Sequence, residues 1–124
     1  MRVEDVMNTR LEFVDADTSV KDAIDTMLKK CIRSLLVKPR NENDCYGVVT
    51  VRDIVFGVFA NDLDPSEVKV GDIASKPIVT VPKGTKLRDV IRFMRRFNIA
   101  RVFVIDDGEI VGVVALMDIM KALV

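Results

Sequence analysis

The chain has 124 residues, which is enough for one compact domain or two very small repeats, and its 49% apolar content predicts an adequate core. Its 19 Lys and Arg balance 19 Asp and Glu, so no net field draws it to nucleic acid or to an anionic membrane. It contains no histidine, which excludes Ser-His and Cys-His catalysis, histidine general bases and histidine-ligated metals. A metal site is therefore not expected.

The first elements follow from hydrophobic spacing. Apolar residues three and four positions apart predict an amphipathic helix from Val20 to Cys31. Short apolar runs after it predict strands over Ser34–Val37 and Tyr46–Val51. The polar segment Lys38–Asp44 between them is expected to be a mobile loop, and a further apolar helix is expected over Asp53–Ala60.

The same pattern returns later in the chain. An apolar stripe from Leu87 to Met94 predicts a helix, and strands are expected over Val102–Ile105 and Glu109–Val114. Asp107-Gly108 between these strands predicts a tight hairpin, because both residues tolerate positive φ angles. A last helix is expected over Asp118–Leu123. With a strand before the first helix, each half reads strand, helix, strand, strand, helix.

The two halves are copies of one sequence pattern. Val3–Val6 recurs as Val70–Ile73, and Gly47–Ile54 recurs as Gly112–Ile119 after a two-residue slip in the intervening loop. We therefore predict a mixed α/β (α+β) fold of two repeats, 1–62 and 63–124. A unit of about 55 residues buries too little surface to be stable alone. The repeats are expected to pack through their sheets around a pseudo-twofold axis, leaving two clefts.

The two cysteines and the length of the apolar stretches indicate the compartment in which the protein is found. Cys31 and Cys45 are too few for a four-thiolate zinc site, and we expect both to be reduced. The longest stretch without a polar side chain, Ile110–Met117, is far shorter than the roughly 20 residues that span a bilayer. A soluble, cytoplasmic protein is expected.

The segment that runs from the second strand into the last helix of each repeat can be interpreted in two ways. Thr50 and Asp53 have the spacing of a helix-capping box. Alternatively, an aspartate beside a cleft can accept hydrogen bonds from the vicinal diol of a ribose, with a hydroxyl near a phosphate. In the second repeat Ala115 replaces the threonine while Asp118 stays, which favours a ligand because the capping partner is missing. The residues alone leave both interpretations open.

Gly-Val-Val-x-x-x-Asp, present at 47–53 and 112–118, resembles the pattern of a tandem pair of CBS domains, the Bateman module. The resemblance covers nearly the whole chain and extends to Asp5-Val6-Met7 and to Ile99–Val104. It implies two βαββα units that bind AMP, ADP, ATP or S-adenosylmethionine between the repeats. It also implies a regulatory homodimer that signals to an unidentified protein partner, needs no cofactor and has no catalytic activity.

The resemblance also implies roles for individual residues. Asp53 and Asp118 would bind ribose hydroxyls, and Thr50 would lie beside the ribose-phosphate. Ala115 departs from the usual Ser or Thr, which weakens the expectation for the second site. Many family members have a histidine near the phosphate where this chain has Ala100, so we expect AMP to be preferred over ligands with more phosphates.

Further positions are assigned in the same way. Arg101 matches a position that often pairs with phosphate, and Arg33 with Ser34 would act similarly in the first repeat. The backbone of Phe13-Val14 and of Val79-Thr80 would face the adenine. Each arginine could instead pair with a surface carboxylate, which contributes little to stability.

Two other functions remain possible on the sequence. Apolar residues in the terminal helices are compatible with an interaction module that dimerises without a ligand. The helix around Leu87–Phe97 also carries several arginines and could contact nucleic acid. A solvated helix face explains those arginines more simply, because no aromatic residues are interleaved with them in a nucleic-acid-binding motif.

Overall fold

The computed structural model describes all 124 residues. Its strands are β1 (Phe13–Val14), β2 (Ser34–Val37), β3 (Gly47–Thr50), β4 (Thr80–Pro82), β5 (Arg101–Asp106) and β6 (Glu109–Ala115). Its helices are α1 (Val20–Lys30), α2 (Val51–Gly57), α3 (Val70–Ile73), α4 (Leu87–Phe97) and α5 (Leu116–Leu123), with 3-10 turns at Val3–Asp5 and Phe59–Asn61. This order contains strand, helix, strand, strand, helix twice, which confirms the predicted mixed α/β fold.

The predicted boundaries around α2 were wrong by a few residues. Thr50 has an extended backbone (φ −119°, ψ 167°) and caps the helix, so helical residues begin at Val51 rather than at Asp53. The helix ends at Gly57, and a 3-10 turn replaces its predicted last turn. The side-chain amide of Asn61 donates to the carbonyl of Gly57 over 3.0 Å, which satisfies one of the carbonyls left free by that early end.

The chain divides into two compact units that differ from the sequence repeats. One unit contains 12–78, and the other combines 1–11 with 79–124. The first 11 residues therefore belong to the unit formed mainly by the second half of the chain. The predicted repeats, 1–62 and 63–124, describe the recurrence of the sequence, whereas the units describe which residues pack together.

The unit of residues 12–78 is a three-stranded sheet with helices against one face. β2 is central, with β1 parallel to it and β3 antiparallel. Leu35, Val37 and Val49 point from this sheet into a core that they share with α1, α2 and α3. Ser34 and Leu36 alternate with these core residues and lie on the other face of the sheet.

Helix α1 shows why the sequence predicted it well. The Ser19 side chain accepts a hydrogen bond from the backbone N–H of Asp22 over 3.1 Å, which caps the first turn. Lys29 and Lys30 lie in the last turn, where their charge favours the helix C-terminus. Cys31 has positive φ (54°) and ends the helix one residue before the predicted limit.

The unit of residues 1–11 and 79–124 repeats this architecture. β5 is central, with β4 parallel and β6 antiparallel to it. Asp107 and Gly108 have φ angles of 49° and 79°, which confirms the predicted hairpin turn. The N-terminal segment is held by backbone hydrogen bonds from Val3 to Thr85 (2.8 Å) and from Asn8 to Val113 (2.8 Å).

The loop between β2 and β3, expected to be mobile, carries ion pairs to a neighbouring segment of its own unit. Arg40 contacts Asp72 at 3.0 Å, and Lys76 contacts Asp44 at 2.9 Å. The backbone N–H of Arg40, and then the ammonium of Lys76, lower the pKa of the Asp44 carboxyl to about 2. These contacts join the loop to α3 and to the segment that follows it.

Candidate functional site

The strand-to-helix junction of the 12–78 unit gathers three oxygen-bearing side chains. Asp53 Oδ2 accepts hydrogen bonds from the Thr50 backbone N–H (2.9 Å) and the Thr50 hydroxyl (3.0 Å). In return, Thr50 Oγ1 accepts from the Asp53 N–H over 3.2 Å. Ser75 Oγ lies 3.4 Å from Asp53 Oδ1. The capping box is therefore formed, and Asp53 is a half-buried carboxylate surrounded by hydroxyls.

The matching junction of the other unit corrects one argument from the sequence. Asp118 Oδ2 accepts from the Ala115 backbone N–H over 2.9 Å, so it caps α5 without a threonine. The reciprocal half of a capping box needs only the backbone N–H of the cap residue. The absence of a hydroxyl at Ala115 is therefore no evidence that Asp118 serves a ligand. A capping role and a ligand role remain compatible, because a carboxylate can accept several hydrogen bonds.

The sheet register brings other predicted residues to these junctions. Ser34 is the direct cross-strand partner of Thr50, and Arg101 is the partner of Ala115. Ser34 and Arg101 therefore occupy equivalent positions in the two units, and both are half-buried. Arg33 lies one residue earlier and is exposed, with its carbonyl accepting from the Val51 N–H over 3.2 Å.

The residues expected to face adenine lie on the first strand of each unit or next to it. Phe13 pairs with Leu36 and is exposed on the sheet face away from the helices, whereas Val14 packs against the core. In the other unit, Thr80 is exposed and Val79 packs against the core. The Val79 carbonyl accepts from Phe103 over 2.8 Å, so its backbone is engaged in the sheet.

Two further residues were missed from the sequence, one before the start of β3 and one at the junction that follows it. Tyr46 places its ring edge-on to Phe13, with centroids 6.0 Å apart, which forms a partly exposed aromatic pair. Its position immediately before Gly47 could have suggested it. Ser75 reaches Asp53 only because α3 returns the chain to β3, where Ser75 and Val48 exchange backbone hydrogen bonds of 2.9 and 3.0 Å. No local sequence pattern indicates that contact.

The side chains in and near these junctions can bind a polar ligand. Carboxylates and hydroxyls can exchange hydrogen bonds with a polyol, arginine can pair with an anion, and aromatic rings can contact a planar base. No group of three or more His, Cys, Asp or Glu side chains is arranged to hold a metal ion. No helix has the length and apolar character needed to cross a membrane.

Comparison with known proteins identifies the family. The model of the CBS domain matches residues 3–59 and 70–124. The chain belongs to the CBS-domain family. Among curated relatives of this CBS-domain chain, the protein MJ0450 of Methanocaldococcus jannaschii is 34% identical over 109 residues, which cover 87% of this chain and 59% of the relative. The chain thus spans less than two thirds of that protein.

Solved structures share the fold of this CBS pair. The hexameric CBS-CP12 protein from bloom-forming cyanobacteria has 32% identity and a TM-score of 0.86, with 97% of this chain and 69% of that chain covered. The CBS domain pair of protein MJ0100, in complex with 5′-methylthioadenosine and S-adenosylmethionine, has 22% identity and a TM-score of 0.82, with both chains covered completely. At that identity the second likeness shows the fold alone.

Proposed function

We propose that this CBS pair is a regulatory module that binds an adenosine nucleotide, with AMP preferred, and communicates its occupancy to a protein partner in the cytoplasm without catalysing a reaction. The observation that carries the proposal is the recurrence of a half-buried aspartate at the same strand-to-helix junction in both units. The adenosine ligands named for the MJ0100 pair, which has the same fold, support this ligand class.

Within each unit, the junction residues would contact different parts of a bound ligand. The remaining lone pairs of Asp53 and Asp118 accept from ribose hydroxyls, because capping uses only Oδ2 of each carboxylate. Oδ1 of Asp53 keeps a second lone pair beside its contact with Ser75. The hydroxyls of Thr50 and Ser34 contribute in one unit, whereas Arg101 supplies a cation for phosphate in the other. Ser34 pairs with Thr50 across its sheet, and Arg101 pairs with Ala115 across the other sheet. Ser34 and Arg101 therefore lie at equivalent positions in the two units.

A thermal-shift panel of AMP, ADP, ATP and S-adenosylmethionine tests the proposal, because a ligand that binds only the folded state raises the melting temperature. With AMP at about 100 times its dissociation constant, the folded state gains about 2.7 kcal/mol. Guanosine and cytidine monophosphates are the matched controls. No shift with any adenosine ligand at millimolar concentration would remove the proposal.

A second candidate function is a dimerising interaction module that needs no ligand. It is favoured by an apolar groove of about 220 Å³ between α1 and α2, lined by Ile24, Leu28, Val55 and Phe59 among others. Leu28, Val55 and Phe59 are 74%, 42% and 49% exposed, so the rim of the groove presents an exposed apolar patch, which is typical of an interaction surface. A dimer that sediments identically with and without nucleotide, in a protein with no nucleotide affinity, would favour this function.

A further inference from the structure

The loop between β2 and β3, residues 38–46, is attached by two ion pairs to α3 and to the segment after it. Arg40 contacts Asp72 over 3.0 Å, whereas Lys76 contacts both carboxylate oxygens of Asp44, over 2.9 and 3.1 Å. The Lys76 and Asp44 side chains are only 23% and 19% exposed, against 36% and 59% for Arg40 and Asp72. Opening a half-buried pair leaves charges that water solvates poorly, so the Lys76–Asp44 pair resists opening more than the exposed one.

The stem of Lys76 packs on the backbone at the start of β3. A Cβ added to Gly47 would lie 3.0 Å from Lys76 Cγ and 3.1 Å from the carbonyl oxygen of Ser75. A residue without a side chain is therefore needed at position 47 for the two segments to approach this closely. Lys76 thus contacts both the first residue of β3 and, through its ammonium group, the loop that leads into that strand.

The residue before Lys76 is Ser75, which lies beside the candidate nucleotide carboxylate. Ser75 and Val48 exchange backbone hydrogen bonds of 2.9 and 3.0 Å, and the Ser75 hydroxyl donates to Asp53 Oδ1 over 3.4 Å. That distance is long for a bond between two oxygens, so a small movement of the segment would break it. Capping uses Oδ2 of Asp53, and the Ser75 contact therefore restrains the other oxygen.

The other unit contains the same backbone pairing without the ion pair. Asn8 takes the place of Ser75 and exchanges hydrogen bonds of 2.8 and 3.0 Å with Val113. The next residue is Thr9, which has no charge, where the 12–78 unit has Lys76. The ion pair is therefore not required by the shared fold, and its presence in one unit needs a reason of its own.

We propose that Lys76 and Asp44 are positioning residues for Asp53. The inference rests on the proposed function, in which Asp53 binds the ribose of the nucleotide. The ion pair holds the loop against the Ser75 segment, and the Ser75 hydroxyl then holds the carboxylate in one orientation. A binding group that is fixed before the ligand arrives loses less conformational freedom on binding. Opening the pair therefore weakens nucleotide binding, although neither Lys76 nor Asp44 contacts the nucleotide.

Isothermal titration of AMP into variants of Lys76 tests the proposal. Lys76→Met keeps most of the stem but removes the charge, and it should raise the AMP dissociation constant about fivefold, which is the effect of one ordinary hydrogen bond. Lys76→Arg keeps the charge and should stay within about twofold of the wild type. The matched control is Lys69→Met, which breaks the more exposed Lys69–Asp17 pair of 3.5 Å just before α3 and should leave AMP affinity unchanged.

A double-mutant cycle with Ser75→Ala separates positioning from a general loss of stability. If Lys76 acts through Ser75, the Lys76→Met/Ser75→Ala variant should bind AMP no more weakly than the weaker of the two single variants. Losses of affinity that multiply in the double variant would overturn the proposal. Wild-type affinity in either Lys76→Met or Ser75→Ala would overturn it as well.

Amide hydrogen exchange in the ligand-free protein separates this inference from the proposed function. The Ser75 N–H, which donates to the Val48 carbonyl, should exchange about tenfold faster in Lys76→Met than in the wild type. The Ala23 N–H, bonded to the Ser19 carbonyl over 3.0 Å in α1, should exchange at the same rate in both. Equal Ser75 rates would overturn the positioning role whether or not AMP binds. A wild type that does not bind AMP would overturn the proposed function, on which this role rests, whatever the exchange rates.

Discussion

The two strand-to-helix junctions form a natural exchange experiment, because one cap is Thr50 and the other is Ala115. Their backbones are nearly the same, with φ −119° and ψ 167° at Thr50 and φ −104° and ψ 164° at Ala115. A threonine at position 115 would therefore place its hydroxyl where it can accept from the N–H of Asp118. We predict that Thr50→Ala destabilises the fold and that Ala115→Thr stabilises it.

The magnitude follows from the contacts of one hydroxyl. Thr50 Oγ1 accepts from the Asp53 N–H at 3.2 Å and donates to Asp53 Oδ2 at 3.0 Å, whereas the carboxylate still caps the backbone N–H after Thr50→Ala. Loss of such a cap lowers the free energy of unfolding by about 1 kcal/mol, within a range of about 0.5–2 kcal/mol. For a chain of this size that corresponds to a change of roughly 3–5 °C in melting temperature.

Urea unfolding followed by circular dichroism measures both variants in the absence of nucleotide. Equal m-values would show that only stability has changed. The Thr50→Ala/Ala115→Thr double variant should unfold close to the wild-type midpoint, since the two changes are at separate junctions and should add. An Ala115→Thr variant that is no more stable than the wild type would refute the equivalence of the two caps.

Three other changes test the packing and the loop contacts. Gly71→Ala should lower the free energy of unfolding by about 1–3 kcal/mol, because a Cβ there would lie 2.8 Å from Ala16 Cβ. Gly57→Ala should be tolerated, because a Cβ there would have no atom closer than 3.8 Å. Similar melting temperatures for the two variants would contradict this reasoning. Leu35→Ala, at a 1% exposed core position, should lower the free energy of unfolding by about 2–5 kcal/mol in urea titrations, and a smaller loss would show that the core refills the cavity. The pKa of Asp44 is lowered to about 2, so its carboxylate stabilises the fold above about pH 4 and this contribution is lost as the pH falls towards 2. In Asp44→Asn, the free energy of unfolding should fall less steeply as the pH drops from about 4 to 2. The same dependence on pH in the variant and the wild type would argue against the assigned contacts.

Local patterns predicted the elements well because local physics determines them. The cap at Ser19 and the hairpin at Asp107-Gly108 each depend on residues a few positions apart. The division into units could not be predicted in this way, because it depends on distant pairings. Val20 donates to the Val68 carbonyl over 2.8 Å, and Val3 donates to the Thr85 carbonyl over 2.8 Å. Such contacts join residues of one sequence repeat to residues of the other, and no local sequence pattern indicates them.

The candidate site shows the same limit. The sequence and the family resemblance supplied Asp53, Thr50 and Asp118, whereas the position of Ser34 beside Thr50 became visible only in the sheet register. The sequence could not show that Asp118 caps its helix through a backbone N–H, since that bond is independent of the side chain at the cap. Ser75 was missed because its approach to Asp53 depends on the return of the chain through α3.

The most direct test of the account is isothermal titration of AMP into the wild type and into the double variant Asp53→Ala/Asp118→Ala. The matched control is Asp5→Ala, because Asp5 also accepts from the N–H of a cap residue, Arg2, over 2.7 Å but lies outside the site. We expect the wild type and Asp5→Ala to bind AMP with similar affinity, and the double variant, folded by circular dichroism, to lose measurable binding. Unchanged AMP affinity in the folded double variant would contradict the site, and no AMP binding by the wild type would contradict the proposed function.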